Sequence, residues 1–509
     1  MTTARREPAF LGMPPFPKAA HDALADTAMG DNLREETRAF RSRRAEVVDE
    51  LPPFVWEKLR LAGAAIKDGV LAQLPRHLDA LEASVTAAGG TVHWARDADE
   101  ANAVIVGIAR EHAAAQVVTT ASTTTREIGL TEALAKAGIR AWETDPAQSA
   151  TQSGRQPRAH TVVPAVRRHR TGPRGRLARK TAAAGASDTR PVRPTGTEKA
   201  TRRDLRDVIA HVKVAVARAD FAIAETGTVC AAESAAGGRL CSALPDALVT
   251  VLGIEQVIPT WRDAEVFLQL LPRSTGERMA AYTSMWTGVT SGDGPRSFHL
   301  VLLDNGRSDV LADPVGRQAL RCIGCSACLP VCPVYERVGG QPYGSAHTGP
   351  IGAILTPQLR GLNRHSVDPQ TASLPYASTL CGACVDVCPV RIDIPGVLTH
   401  QRAQLTDLGR GPARRGEKAA MKAAGWGFAE PWRLGLAQHA AALGRRVVGR
   451  SGRIGRVPRL LAGPLGAWTA DRDAPAPPPE SFRAWFKRTN GGLDEGASGD
   501  QSESPREES

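Results

Sequence analysis

Seven of the nine cysteines in this 509-residue chain lie in two short runs. The runs read Cys322-Ile-Gly-Cys325-Ser-Ala-Cys328-Leu-Pro-Val-Cys332-Pro333 and Cys381-Gly-Ala-Cys384-Val-Asp-Val-Cys388-Pro389. Thiolates spaced by two residues can wrap an iron–sulfur cube, and a further cysteine before proline ligates the other cube in two-cluster ferredoxins. The spacing therefore predicts two [4Fe–4S] clusters. Cluster 1 is assigned to Cys322, Cys325, Cys328 and Cys388, and cluster 2 to Cys332, Cys381 and Cys384.

Cluster 2 has one cysteine fewer than cluster 1, because Ser378 stands where a further cysteine would complete the second run. Its fourth position is left to a non-cysteine ligand, an external ligand or a missing iron, which would make it [3Fe–4S]. Cys-x2-Cys pairs also occur in zinc ribbons. A zinc ribbon does not require a third cysteine such as Cys328 or a cysteine followed by proline. The pattern therefore favours iron–sulfur chemistry.

The composition limits the other classes of function. Residues 1–18 contain no apolar core of a secretory signal, so we expect a cytoplasmic protein without disulfides. The apolar run 247–254 is too short to span a bilayer and reads as a core strand. Much of the net charge of +11 falls in an arginine-rich segment at about 167–203, predicted to be a flexible loop. Because no aromatic residues alternate with these arginines, nucleic-acid binding is disfavoured.

The elements that must position the cysteines follow a βα alternation. Helical spacing of apolar residues predicts a helix over 33–48 capped by Asp31 and a helical run over 54–88 ended by Gly89-Gly90. Strands are predicted at 91–94, 116–119, 139–143, 248–252, 257–258 and 298–304, with helices between several of them. This alternation predicts an α/β domain with a mainly parallel, doubly wound sheet. A mostly helical cluster domain is predicted to follow it.

Several shorter motifs outside the cysteine runs support weaker predictions. Glu225-Thr226-Gly227-Thr228 follows an apolar strand and is either a ligand site or a tight turn between strands. Cys230 and Cys241 lie outside both runs and are expected to be buried apolar residues. His160 could contact a carboxylate ligand, but a core or edge histidine is the commoner case. Gly237-Gly238-Arg239 could bind an anion, but a turn with a surface arginine is favoured. No catalytic residues, and no flavin or nicotinamide signature, are recognisable.

Several segments together resemble the LutB/LldF family of lactate-utilisation iron–sulfur proteins over nearly the full length. They comprise 219–228, 298–308, the first cysteine run continued by Pro333-Val-Tyr335, the glycine-rich 339–352, 374–378 and 474–485. The resemblance implies an α/β LUD-type domain at 54–311 behind an N-terminal helical arm at 1–53. It also implies a two-cluster ferredoxin domain at 312–400, a helical C-terminal region at 401–486 and a disordered tail at 487–509.

By the same resemblance, the chain is expected to be the electron-transferring subunit of a complex that oxidises L-lactate to pyruvate. Its expected partners are a second iron–sulfur subunit and a separate LUD-domain subunit, which would carry the catalytic base and primary acceptor. Two alternatives stay open: a LUD enzyme that oxidises the hydroxy acid itself, and an iron–sulfur subunit of another hydroxy-acid or quinone-linked dehydrogenase. The stretch 119–130 departs from the family, because it lacks lysines and has Arg126 at an acidic position.

Overall fold

A computed structural model describes residues 12–120, 122–144, 211–233, 241, 243–280, 282–289, 292, 294–362, 367–409, 415–448, 453–454 and 473–489. The arginine-rich segment 167–203, His160 and Gly237-Gly238-Arg239 lie outside these ranges. The described chain divides into one unit up to residue 411 and a second from residue 412 onward. None of the helices within the described ranges is long and apolar enough to span a bilayer.

The first unit is built on a parallel sheet, as the βα alternation predicts. The six strands described in it, in spatial order, are β1 (Thr91–Ala95), β10 (Ser297–Leu303), β7 (Ala247–Gly253), β4 (Val214–Ala217), β2 (Gln116–Thr119) and β3 (Arg140–Glu143). Every neighbouring pair runs parallel. The central strand β7 is buried along its whole length, which explains its unbroken apolar sequence.

A second, mixed sheet lies beside the first. Within the described residues its order is β8 (Val257–Ile258), β5 (Phe221–Ile223), β6 (Thr228–Glu233) and β9 (Tyr282–Trp286). Strands β5 and β6 form an antiparallel hairpin, and β9 pairs antiparallel with β6. Strand β9 was not predicted, because its side chains alternate between half-buried and exposed and include polar Thr283 and Ser284.

The N-terminal helices differ from the predicted ones in two places. They are α1 (Phe16–Leu24), α2 (Thr27–Asp49), α3 (Pro53–Ala72) and α4 (Leu74–Ala87). Helix α2 begins at Thr27, six residues earlier than predicted, and Asp26 rather than Asp31 caps it by accepting a hydrogen bond from the Met29 N–H. The run predicted over 54–88 is two helices, because Pro75 lacks the N–H that would continue α3.

The remaining helices fall into three groups. Helices α5 (Ala98–Glu111), α6 (Thr123–Glu127), α7 (Leu130–Lys136), α8 (Trp261–Thr275) and α9 (Arg307–Ala312) follow strands of the two sheets. The cysteine region contains α10 (Pro333–Val338), α11 (Gly349–Leu359), α12 (Pro369–Ser373), α13 (Ala383–Val387) and α14 (Ile394–Asp407). The second unit contains α15 (Arg415–Phe428), α16 (Pro431–Val448) and α17 (Phe482–Thr489). Helix α17 extends into the predicted tail, whose residues from 490 onward lie outside the described ranges.

Candidate iron–sulfur centre

Short, sharply turning loops carry the cysteines. Gly324 and Ser326, between the first three cysteines, both adopt left-handed backbone conformations, at φ +71° and +60°. Such residues reverse the chain between successive thiols, which a regular helix would send in different directions. Cys332 ends this loop and caps α10, with its Sγ accepting from the Tyr335 N–H at 3.5 Å. Pro333, the first residue of α10, has no N–H to leave unpaired.

The seven thiols form two groups, recognisable from which ones raise one another's pKa. Cys328 is affected by Cys322, Cys325 and Cys388. Cys384 is affected most by Cys332 and Cys381, and more weakly by Cys388. These groups coincide with the sets assigned to clusters 1 and 2. Within the described ranges, no set of three His, Cys, Asp or Glu side chains is placed to bind a single metal ion. Each group is therefore defined by the electrostatic influence of its thiols on one another.

The environment of the thiols suits ligands of a buried cluster. Burial, the main cause, raises the pKa of Cys322 and of Cys384 to about 12 and that of Cys325 to about 11. Backbone N–H groups of Gly324 and Ile392 donate to the sulfurs of Cys322 and Cys388, at 3.5 and 3.3 Å. Bonds of this kind stabilise thiolates and tune the clusters that they hold. Cys381 is the exposed member of the seven.

Two buried donors around the thiols have no hydrogen-bond partner among the described residues: Arg44 Nε and the Tyr343 hydroxyl. The Ser274 hydroxyl lowers the pKa of Cys325, and the Arg44 charge acts in the same direction. The Tyr343 hydroxyl is influenced electrostatically by Cys332 and, more weakly, by Cys328. A buried donor without an acceptor is costly, and the inorganic sulfides of an iron–sulfur cluster are acceptors. The residues present therefore fit such clusters.

Arginines of the N-terminal helices hold the cysteine loops from outside. Arg60 of α3 donates to the carbonyl oxygens of Cys388 and Val385, at 2.9 and 2.8 Å. Arg44 of α2 donates to Val387 O at 3.1 Å, and Arg41 donates to Pro330 O at 2.7 Å. The segment predicted as an arm is thus an integral part of the cysteine domain.

A cluster of buried polar and charged side chains was not predicted from the sequence. Glu127 follows β2, Glu255 follows β7, and Asn305 and Arg307 follow β10, so all four lie at the carboxyl edge of the parallel sheet. Ligands commonly bind at this edge in α/β proteins. Here the edge is filled by ion pairs: Arg307 bonds both oxygens of Glu127 at 2.9 and 3.0 Å and Glu255 at 2.6 Å.

This ionic network also joins the α/β domain to the cysteine domain. His347 donates through Nε2 to Glu127 Oε2 at 2.8 Å, and buried Lys67 donates to the Glu255 carbonyl. Burial lowers the pKa of Lys67 to about 8, although Glu255 and Cys322 act in the opposite direction. Burial alone would raise the pKa of Glu127, but Arg307 and His347 outweigh it and hold it well below its usual range. Glu127 and Arg307 are thus both charged.

Glu225, Thr226 and Gly227 lie in the turn of the β5–β6 hairpin, and Thr228 is the first residue of β6. Gly227 has φ +70°, and a Cβ there would lie 2.7 Å from the backbone N of Val85 in α4. The carboxylate of Glu225 accepts from Trp261 N at the start of α8, at 3.1 Å. The contacts of this turn are therefore internal, as the tight-turn interpretation expects. Cys230 is buried, as predicted, and burial raises its pKa to about 12. Cys241 is also buried.

Three family profiles match consecutive parts of the chain. The LUD domain profile matches residues 78–303, and a 4Fe-4S dicluster domain profile matches residues 318–392. A profile described as lactate utilisation protein B, C-terminal, matches residues 399–490. A solved structure of a DUF162 family protein from Deinococcus radiodurans covers 45% of this chain and 98% of its own, at 14% identity. Its TM-score of 0.26 supports no conclusion.

Relatives extend the likeness to almost the whole length. Lactate utilization protein B 1 of Bacillus mycoides is 33% identical over 94% of this chain and 97% of its own. Lactate utilization protein B of Lysinibacillus sphaericus is 37% identical over 89% and 92%. An uncharacterized electron transport protein, YkgF, of Escherichia coli is 34% identical over 93% and 96%. Similarity at this level across both domains and the C-terminal region places the chain in the lactate utilisation protein B family.

Proposed function

We propose that this chain is the electron-transferring iron–sulfur subunit of a cytoplasmic complex that oxidises L-lactate to pyruvate. The observation that carries the proposal is the separation of seven thiols, six of them buried or half-buried and Cys381 exposed, into two adjoining groups. Clusters bound there would accept and release electrons one at a time. The names of the relatives, lactate utilization protein B and electron transport protein, support the same assignment.

The ligand sets proposed are Cys322, Cys325, Cys328 and Cys388 for cluster 1 and Cys332, Cys381 and Cys384 for cluster 2. The protein's own part is to hold the thiols in sharply turned loops, to donate backbone N–H groups to the sulfurs and to keep all the thiols except Cys381 buried or half-buried. Exposed Cys381 brings cluster 2 nearest to the surface, where a redox partner would exchange electrons with it.

The carboxyl edge of the sheet favours electron transfer over catalysis by the LUD domain itself. Arg307, a buried cation at this edge, is already bonded to Glu127 and Glu255, and buried Lys67 is bonded to the Glu255 carbonyl. We therefore propose that lactate binds to a partner, either the second iron–sulfur subunit or the separate LUD-domain subunit of the complex.

Anaerobic purification, followed by iron and sulfide counting and EPR before and after dithionite, tests the cluster proposal. About eight irons per chain and two interacting reduced clusters are expected for two cubes. About seven irons with an oxidised [3Fe–4S] signal would show that cluster 2 lacks a fourth ligand. Zinc in place of iron would overturn the assignment.

Variants then test the ligand sets and the role. Cys322→Ser should remove one cluster's signal and Cys332→Ser the other's, whereas Cys230→Ala should keep both because that thiol lies outside the two groups. Lactate should reduce the clusters only when the partner subunits are added. Reduction of a dye by lactate with this chain alone would favour the LUD-enzyme alternative.

A further inference from the structure

The two groups of thiols lie in different electrostatic surroundings. Each of three cations influences one cysteine of the cluster 1 set: Arg44 acts on Cys325, Arg60 on Cys388 and Lys67 on Cys322. Glu255 also reaches Cys322, but its carboxylate is paired with Arg307. Cations thus act on three of the four thiols of cluster 1.

At Cys332 of cluster 2 the main charged influence is negative. Apart from the cysteines, the charged side chain that most affects the Cys332 thiol is Glu336, which raises its pKa. Arg41 is paired with that carboxylate at 3.2 Å, but both side chains are partly exposed to water, at 36% and 23%. Solvent screens such a pair more than it screens Arg60, whose side chain is 13% exposed.

Arg44 and Arg60 are also fixed in place. Arg60 bonds two carbonyls of the cluster 1 loop and Glu57, the last at 2.8 Å. Arg44 bonds Val387 O, the residue before Cys388, and stacks over Trp56 at 5.9 Å. Its Nε–H is buried and has no partner among the described residues. A guanidinium held in this way places a permanent charge near the cluster 1 thiols and keeps one buried donor unused.

Reduction potentials of iron–sulfur clusters rise when positive charge or hydrogen-bond donors lie near the sulfurs, because reduction adds an electron to an already anionic centre. We propose that Arg44 and Arg60 make cluster 1 the more easily reduced of the two clusters, Arg44 partly through its Nε–H. This inference rests on the proposed function, since it needs both clusters bound. Electrons entering at cluster 2, near the surface, would then move to cluster 1.

Redox titration of the full-length, anaerobically purified chain, followed by EPR, tests the inference. The signal absent from Cys322→Ser identifies cluster 1. Arg44→Met and Arg60→Met should each disfavour one-electron reduction of cluster 1 at least tenfold, a fall of about 59 mV, and leave cluster 2 unchanged. Arg34→Met is the matched control, because Arg34 lies on the same helix as Arg44 and pairs with Asp31 at 3.0 Å.

Arg44→Lys separates charge from hydrogen bonding, since it keeps the cation and removes the Nε–H. It should lower the cluster 1 potential by less than Arg44→Met does. If Arg44→Met fails to retain cluster 1, Arg44→Lys and Arg60→Met decide the matter. Unchanged cluster 1 potentials in both of those variants, or equal shifts of both clusters, would overturn the inference. A wild-type chain without iron and sulfide would instead overturn the proposed function.

Discussion

Glu127 and Arg307 form a two-point ion pair at 2.9 and 3.0 Å, with both side chains almost completely buried, at 4% and 3% exposure. The pair links the segment after β2 to the segment after β10, and His347 ties it to the cysteine domain. Removing one charge from a buried pair leaves the other without its counter-charge.

Because Arg307 keeps Glu255 as a counter-charge, Glu127→Gln should lower the free energy of unfolding by about 1–3 kcal/mol, less than for a buried charge left unpaired. Urea denaturation of the wild type and the variant measures this loss. Glu132→Gln, at an exposed position on α7, is the control and should change stability by less than about 0.5 kcal/mol. Equal stability of the two variants would show that Glu255 alone suffices to balance Arg307.

Gly227→Ala should destabilise the hairpin turn by about 1–3 kcal/mol. The added Cβ would meet the backbone of α4, and φ +70° disfavours alanine. Gly107→Ala provides the contrast, because nothing lies within 4 Å of its Cβ position and α5 is helical there. That variant should be neutral or more stable by up to about 1 kcal/mol. Thermal unfolding that ranks the two in reverse order would contradict the packing argument.

Stability should fall between about pH 6.5 and pH 4, in part because of a histidine pair on β1 and β10. His93 Nε2 and His299 Nδ1 lie 3.1 Å apart, and burial, with His93 and His112, lowers the pKa of His299 to about 4. The unfolded chain takes up a proton near pH 6.5, so in this window it binds more protons than the folded chain and acid favours unfolding.

After allowance for solvent screening at this half-buried site, the loss from His299 amounts to about 1–2 kcal/mol. His299→Gln should remove it, which a series of denaturation curves from pH 4 to pH 7 would detect. His21→Gln, at a highly exposed histidine, should leave the pH profile as it is in the wild type. A profile equally steep in His299→Gln would rule out this origin.

Tyr343→Phe should lower the potential of cluster 2 without loss of iron. The Tyr343 hydroxyl is buried, has no partner among the described residues and lies near Cys332, so a cluster sulfur is its natural acceptor. The substitution keeps the ring and its packing against Phe16, at 5.0 Å between centroids. EPR-monitored titration measures the shift, with Tyr376→Phe as the control, because the Tyr376 ring is half-buried and lies 5.2 Å from the Arg402 guanidinium. An unchanged potential would show that the hydroxyl donates to neither cluster.

What the sequence could predict depended on how far apart the interacting residues lie. The Cys-x2-Cys steps are local, so the two sets could be proposed from spacing alone, and buried strands such as β7 reveal themselves by composition. Glu127 and Arg307 lie 180 residues apart, and only the strand order brings them together. Asp31 was predicted as the cap of α2, but the cap is Asp26; both are acidic residues before a helical pattern, and local sequence does not distinguish them.

The hydrogen bonds from the N-terminal helices to the cysteine loops also constrain when the cysteine domain can assemble during synthesis. Arg41, Arg60 and Arg44 precede the carbonyl groups that they bind by 289, 328 and 343 residues. At about 5–20 residues per second, a nascent chain exposes these arginines for about 15–70 s before their acceptors emerge from the ribosome. Iron that reached the first cysteine run in that interval would find Cys388, the last member of its set, still untranslated. Assembly of cluster 1 is thus a late step, completed after almost four fifths of the chain has been made.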